Sequence, residues 1–131
     1  MPSFSKSSRE RLATCDERLQ RIAFAMIEWF DFTVICGHRD QKTQDQVFRD
    51  GFSKVKWPDG EHNEMPSRAI DAVPYPIDWK DIERMALFAG AFIATGRLMG
   101  ITIRWGGDWD RDTKVQDNEF DDRVHFEIVG T

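Results

Sequence analysis

Two of the three histidines of this chain stand near carboxylates in a way that suits a metal centre. His62 opens the stretch His62-Asn63-Glu64-Met65-Pro66-Ser67-Arg68-Ala69-Ile70-Asp71, and His125 lies in Asp122-Arg123-Val124-His125-Phe126-Glu127. Two imidazoles and the Asp71 carboxylate make a three-donor set of the kind that binds Zn2+ and leaves a fourth position open, the arrangement of catalytic rather than structural zinc. A second carboxylate, Asp122, precedes His125 by three residues and could carry protons in a hydrolysis.

Such a set works only if the fold brings its members together. In Val124 to Val129, a strand by composition, Val124, Phe126 and Ile128 share the face that must meet the core, so His125 and Glu127 share the other. In the strand Arg68 to Val73, Asp71 lies opposite Ile70 and Ala72. If the two strands are neighbours, Asp71 and His125 project side by side from one sheet face, and His62 reaches them from the preceding loop.

The remaining elements follow from periodicity and breakers. Ser7 to Phe30 reads as one helix, with Ser7 and Glu10 as a capping box and Leu12, Leu19, Ile22, Met26 and Phe30 at helical spacing. Phe32 to Cys36 is a strand stopped by Gly37, and Asp40 to Asp50 a short helix ended by Gly51. Gly51 to Ser67 is a loop. Asp78 caps a long helix running to about Met99, Ile101 to Trp105 is a third strand, and Gly106 to Asp121 a polar loop. The expected fold class is α+β: a small, largely antiparallel sheet backed by helices, with the zinc site on one sheet face.

Length and composition bound the rest. With 131 residues, a single domain over 1–131 is expected, and 40% hydrophobic residues including 10 Phe and 5 Trp suffice for a packed core. The net charge of -5 argues against a general affinity for nucleic acid. No apolar run approaches the ~20 residues of a membrane span, and Met1 to Lys6 lacks the apolar core of a signal peptide, so a cytoplasmic product is expected. Cys15 and Cys36 fit no paired zinc motif. Cys36 reads as an inward-facing cysteine ending a strand in preference to the nucleophilic partner of His38.

Taken together, His62-Asn63, Pro66-Ser67-Arg68-Ala69-Ile70-Asp71 and Asp122-x-x-His125-Phe126-Glu127 resemble the zinc peptidases of bacterial cell walls. That family contains D-alanyl-D-alanine carboxypeptidases and dipeptidases, and the L-alanyl-D-glutamate endopeptidases that phages use as endolysins. The family's usual first motif is Ser-x-His-x-x-Gly-x-Ala-x-Asp. Here residue 60 is Gly and the interval from His62 to Asp71 is two residues longer, as in the phage-type branch. Gly37-His38-Arg39 with Gln44 resembles the family's Gly-x-Arg and downstream Gln. By that resemblance Arg39 stabilises charge on the scissile carbonyl oxygen, Gln44 orients substrate or Arg39, and His38 is not a ligand. Trp105-Gly106-Gly107-Asp108-Trp109 is also similar to the phage type, which implies tryptophans walling a cleft and substrate contacts at Trp105 and Asp108; a turn closed by core aromatics is the equal alternative. The resemblance implies a Zn2+ peptidase, a monomer, that cuts the L-alanyl-D-glutamate bond of peptidoglycan stem peptides and reaches the wall through a holin pore. The alternatives are a D-alanyl-D-alanine carboxypeptidase or dipeptidase, and a wall-binding module that keeps zinc without turnover.

Overall fold

A computed structural model describes residues 2–115 and 122–130. The N-terminal stretch forms two helices where one was expected: α1, Lys6–Leu12, and α2, Glu17–Ile27. Ser5 rather than Ser7 caps α1, its Oγ accepting from the Ser8 N–H at 3.1 Å. The break falls at Ala13-Thr14-Cys15-Asp16, where local and distant bonds together win over helix continuation. The Thr14 hydroxyl donates to the Arg11 carbonyl at 2.7 Å and Asp16 caps α2. The backbone here also clasps Ser67, which donates to Thr14 O and accepts from Asp16 N–H, both at 2.8 Å. Leu12, Leu19, Ile22 and Met26 are all buried across the break, so their spacing gave no sign of it.

Next come β1, Phe32–Cys36, and α3, Gln41–Arg49, capped by Asp40. The long loop holds one 3-10 turn, Glu61–Asn63, before β2, Ala69–Pro74. Helix α4 covers Ile82–Leu98 and is capped by Asp81, because Asp78 is used in the turn before it. Its end is a Schellman stop: Gly100, at φ +75°, donates to Arg97 O, and Ile101 donates to Gly96 O at 2.8 Å. Ile101 therefore belongs to the helix stop, and β3 begins later than expected, Ile103–Gly106. The last strand, β4, is Asp122–Ile128, so Asp122 lies within the strand and not before it. The polar loop expected up to Asp121 lies in part, from 116 to 121, outside the described residues.

All three strand pairings are antiparallel, in the order β1-β2-β4-β3. One sheet face packs on α4, with α2 against α4 in the same core, through Val34, Ile70, Ala72, Phe126 and Ile128, all buried. Phe126 stacks on Phe92 with ring centroids 4.4 Å apart, and Phe88 meets Phe126 edge-on at 5.7 Å. This is the α+β arrangement expected from the sequence.

Phe126 joins that core to the site on the opposite face, since His125 and Glu127 flank it. Phe126→Ala should destabilise the fold by about 3–5 kcal/mol in urea unfolding, the usual cost of a large aromatic lost from a core.

Candidate metal centre and cleft

Alternation places Asp71 and His125 on the face away from the helices, and the pairing puts them directly opposite each other. A bulge between Val34 and Cys36 extends this row into β1. Regular pairing would set Ile35 against Asp71, but the shift brings Cys36 there instead. Cys36, Asp71 and His125 thus form one row across three strands. His62 joins them from the 3-10 turn, held by backbone: Arg39 N–H donates to His62 O at 2.7 Å, and Asn63 Nδ2 donates to Arg39 O at 3.1 Å.

The imidazole bonds fix which nitrogen faces the carboxylate. His62 Nδ1 lies 2.7 Å from Gly37 O, a carbonyl that can only accept, so Nδ1 carries the proton. Its Nε2, 3.0 Å from Asp71 Oδ1, therefore presents a lone pair in the neutral ring and a second N–H in the charged one. His125 repeats the pattern with its nitrogens exchanged. Nε2 donates to Glu127 Oε1 at 2.7 Å, and Nδ1 faces the same Asp71 Oδ1 at 3.4 Å. Two neutral rings would thus aim lone pairs at one anionic oxygen, an arrangement that calls for a further proton or a metal ion among them. The titration tendencies agree. Burial opposes charge on His62, but the charge and hydrogen bond of Asp71 outweigh it and push the ring up to about 10. Burial likewise disfavours a charged His125, yet Asp71 and Glu127 raise it. Burial would raise Asp71, but the two histidines hold its carboxyl far below the usual range. A site built to attract a proton this strongly also suits a divalent metal ion, and two nitrogens with a carboxylate oxygen fit one.

Two overlapping groups have donor atoms close enough to share an ion, Cys36-His62-Asp71 and Asp71-Asp122-His125. Cys36 was not among the expected site residues. It has His62, rather than His38, as its imidazole neighbour; His38 bonds the Glu64 carbonyl instead. Burial raises the Cys36 thiol, but His62 and Arg39 together hold it below its ordinary value. Glu127 was placed on this face by alternation without a role, and proves to be the residue that orients His125.

Arg39 reaches Asp71 Oδ2 at 3.4 Å and Gln44 Oε1 at 3.1 Å. Gln44, fully buried, also accepts from Asn63 Nδ2 at 3.1 Å and donates to Val55 O at 2.6 Å, locking Arg39 and the 52–55 loop to α3. Asp122 is set by the contact of β4 with β3. A Cβ on Gly106 would lie 2.0 Å from Asp122 O, so only glycine allows this approach. Burial, then the charge of Asp71, raise the Asp122 carboxyl above its ordinary value, the direction suited to a group that takes and returns protons.

These residues line a cleft of about 600 Å³ that contains His62, Asp71, Asp122, His125, Arg39 and Gln44. Trp105 does not face it. Its ring belongs to the core and its Nε1 donates to Arg123 O at 2.7 Å. Trp109 lines the cleft instead, 5.3 Å from the His125 ring. Asp108 is not in the lining; its carboxylate caps the following turn, accepting from Thr113 N–H at 2.9 Å.

Comparison with known proteins places this geometry in context. The sequence pattern of the family described as phage L-alanyl-D-glutamate peptidase matches residues 2–129. The L-alanyl-D-glutamate peptidase of Escherichia phage T5 is 34% identical over 119 residues, covering 87% of this chain and 86% of its own. The crystal structure of the Serratia marcescens L-Ala D-Glu endopeptidase ChiX superposes with a TM-score of 0.75 at 25% identity, over 95% of this chain and 88% of that one.

The geometry separates two kinds of variant. Glu127→Ala should weaken metal affinity about 10- to 100-fold, measured by competition with a chromogenic chelator, because His125 loses its orienting acceptor. Gly106→Ala should keep metal affinity near that of the parent while turnover falls, since the added methyl displaces Asp122 and none of the three donors.

Proposed function

The chain belongs to the phage L-alanyl-D-glutamate peptidase family, and on that premise we propose that it is a zinc endopeptidase acting on peptidoglycan stem peptides. The bond cut is the one between L-alanine and D-glutamate. One observation carries the zinc reading: two imidazoles, each bonded through its other nitrogen to Gly37 O or Glu127, turn their remaining nitrogens toward a single oxygen of Asp71 on the cleft wall. His62, Asp71 and His125 would hold the ion. Zinc bound there supplies a Lewis acid that polarises the scissile carbonyl and lowers the pKa of water from 15.7 to about 7.

The chain's own groups do the rest. Asp122 accepts the proton of the attacking water and returns it to the departing amine nitrogen of D-glutamate, a cycle that its raised pKa supports. Arg39 offers its guanidinium to the carbonyl oxygen as negative charge builds there, and Gln44 fixes its placement. Trp109 walls the cleft beside His125 and shields the reacting bond from bulk water. The cleft, about 600 Å³, has the size of sites that enclose a short peptide. In this reading the whole chain is one catalytic domain working as a monomer. It is made in the host cytoplasm and passes to the wall through a holin pore; no helix among the described residues is long and apolar enough to cross a membrane.

The test joins metal content to product chemistry. Protein purified without added metal should carry one zinc per chain, and His125→Ala should lose it. Asp122→Ala should keep zinc yet lose roughly 100-fold or more in turnover. Mass spectrometry of digested muropeptides should find new peptides beginning with D-glutamate, including from stems that lack both terminal D-alanines. Release of free D-alanine alone would assign the chain to the carboxypeptidases, and zinc without any cleavage would make it a wall-binding module.

A further inference from the structure

A glutamate has two carboxyl groups, and only one can continue a peptide chain. A substrate cut before D-glutamate therefore carries a free carboxylate within one residue of the scissile nitrogen. The cleft is poorly suited to an anion in general, since five carboxylates line it against three cations, Arg39, Lys54 and Arg104. Arg39 is engaged by Asp71 and Gln44. Lys54 sits exposed on the loop after α3 and has an interaction of its own.

Arg104 differs from both. It lies on the site face of β3, directly opposite Glu127, and its Nη2 donates to Glu127 Oε2 at 2.7 Å. The guanidinium carbon stands 5.8 Å from the Trp109 ring centroid. The head group is thus held from two sides before any ligand arrives, which reduces the entropy lost on binding. It still has unused donors: Nε is buried without a partner, and Nη1 bonds no described residue. An orphaned buried donor is unfavourable and asks for a reason, and here the side chain as a whole is 40% exposed and lines the cleft.

The position also matches the reach required. Glu127 is two residues from His125 on the same strand face, roughly 7 Å along it. One substrate residue spans about 3.5 Å, and the length of the glutamate side chain covers the remainder.

We propose that Arg104 is a specificity-determining residue that binds the glutamate carboxylate not used in the chain. This rests on the hydrolysis proposed above, and its test separates the two. Parent, Arg104→Gln and Arg104→Lys are given a stem peptide and the same peptide with that carboxyl converted to a carboxamide. Binding of the matching product peptides, which begin with D-glutamate or its amide, is measured by calorimetry. The parent should favour the acid over the amide by about 10- to 100-fold in kcat/KM, the scale of a charged hydrogen bond. Arg104→Gln should bring that ratio close to one, and Arg104→Lys should leave it intermediate, because the charge remains and the planar fork is lost.

A parent ratio near one overturns the inference. So does an Arg104→Gln variant that loses equally on both peptides, since Arg104 would then act only through Glu127 on His125. Carboxylate-dependent product binding with no cleavage of either peptide would remove the hydrolysis and support the anchor. Indifferent binding with no cleavage would remove both.

Discussion

Asp71 Oδ1 receives two imidazole nitrogens at 3.0 and 3.4 Å, and in both rings the other nitrogen commits its proton to a different acceptor. A lone pair facing an anion is repulsive, and doubly so within a buried pocket where water screens little. The arrangement is sustained by positive charge at its centre, supplied by a second proton on the rings or by a metal ion. Much of the site can be understood as making that demand and then limiting it. Gly37 O and Glu127 commit the ring protons, and Arg39 partly neutralises the other oxygen of Asp71. The strand register prevents the groups from moving apart. The Cys36 bulge adds a polarisable atom at the edge of the cluster, close to His62 and Asp71.

Orientation of the donors is distributed over segments distant in sequence. The Gly37 carbonyl that fixes His62 is itself fixed by the break between α1 and α2. A Cβ at residue 37 would meet Thr14 Oγ1 at 2.3 Å and Arg11 O at 2.4 Å, and His38 N–H donates to Thr14 Oγ1 at 2.9 Å. The same break grips Ser67, just ahead of the strand bearing Asp71. A departure from regular helix near the N-terminus thus aligns two of the three donors. Arg104 and Glu127 extend the network toward the cleft on the other side, so the group proposed to bind substrate also presses on the group that orients His125.

What the sequence disclosed was what alternation and residue chemistry control. His125 and Asp71 had to share a face because Phe126, Ile128 and Ile70 needed the other, and His62 followed from chemistry and spacing. The one-helix reading of Ser7 to Phe30 failed because its apolar spacing runs unbroken through residues whose polar atoms prefer Ser67 to their own helix. Strand alternation would also have put Trp105 in the core with Ile103, but its motif drew attention to the cleft, and Trp109 is the ring that stands there. Gln44 is legible as a position but not as a hub of four hydrogen bonds, because its partners come from three separate segments. The bulge that brings Cys36 rather than Ile35 beside Asp71 has no local signal at all.

The strand order has a consequence for how the molecule comes into being. Strand β4, which follows β2 and β3 in the chain, lies between them and not at an edge. Until it emerges, β2 and β3 have no contact through the sheet, and Asp71 faces His62 without His125. The helical and β1–β2 portions can associate earlier, but His125 joins Asp71 only through this strand. Such late, non-local closure slows folding relative to helical neighbours of similar size. It also leaves a growing chain without its full donor set until the strand bearing His125 has emerged. Completion of the donor set is thereby tied by topology to completion of the sheet.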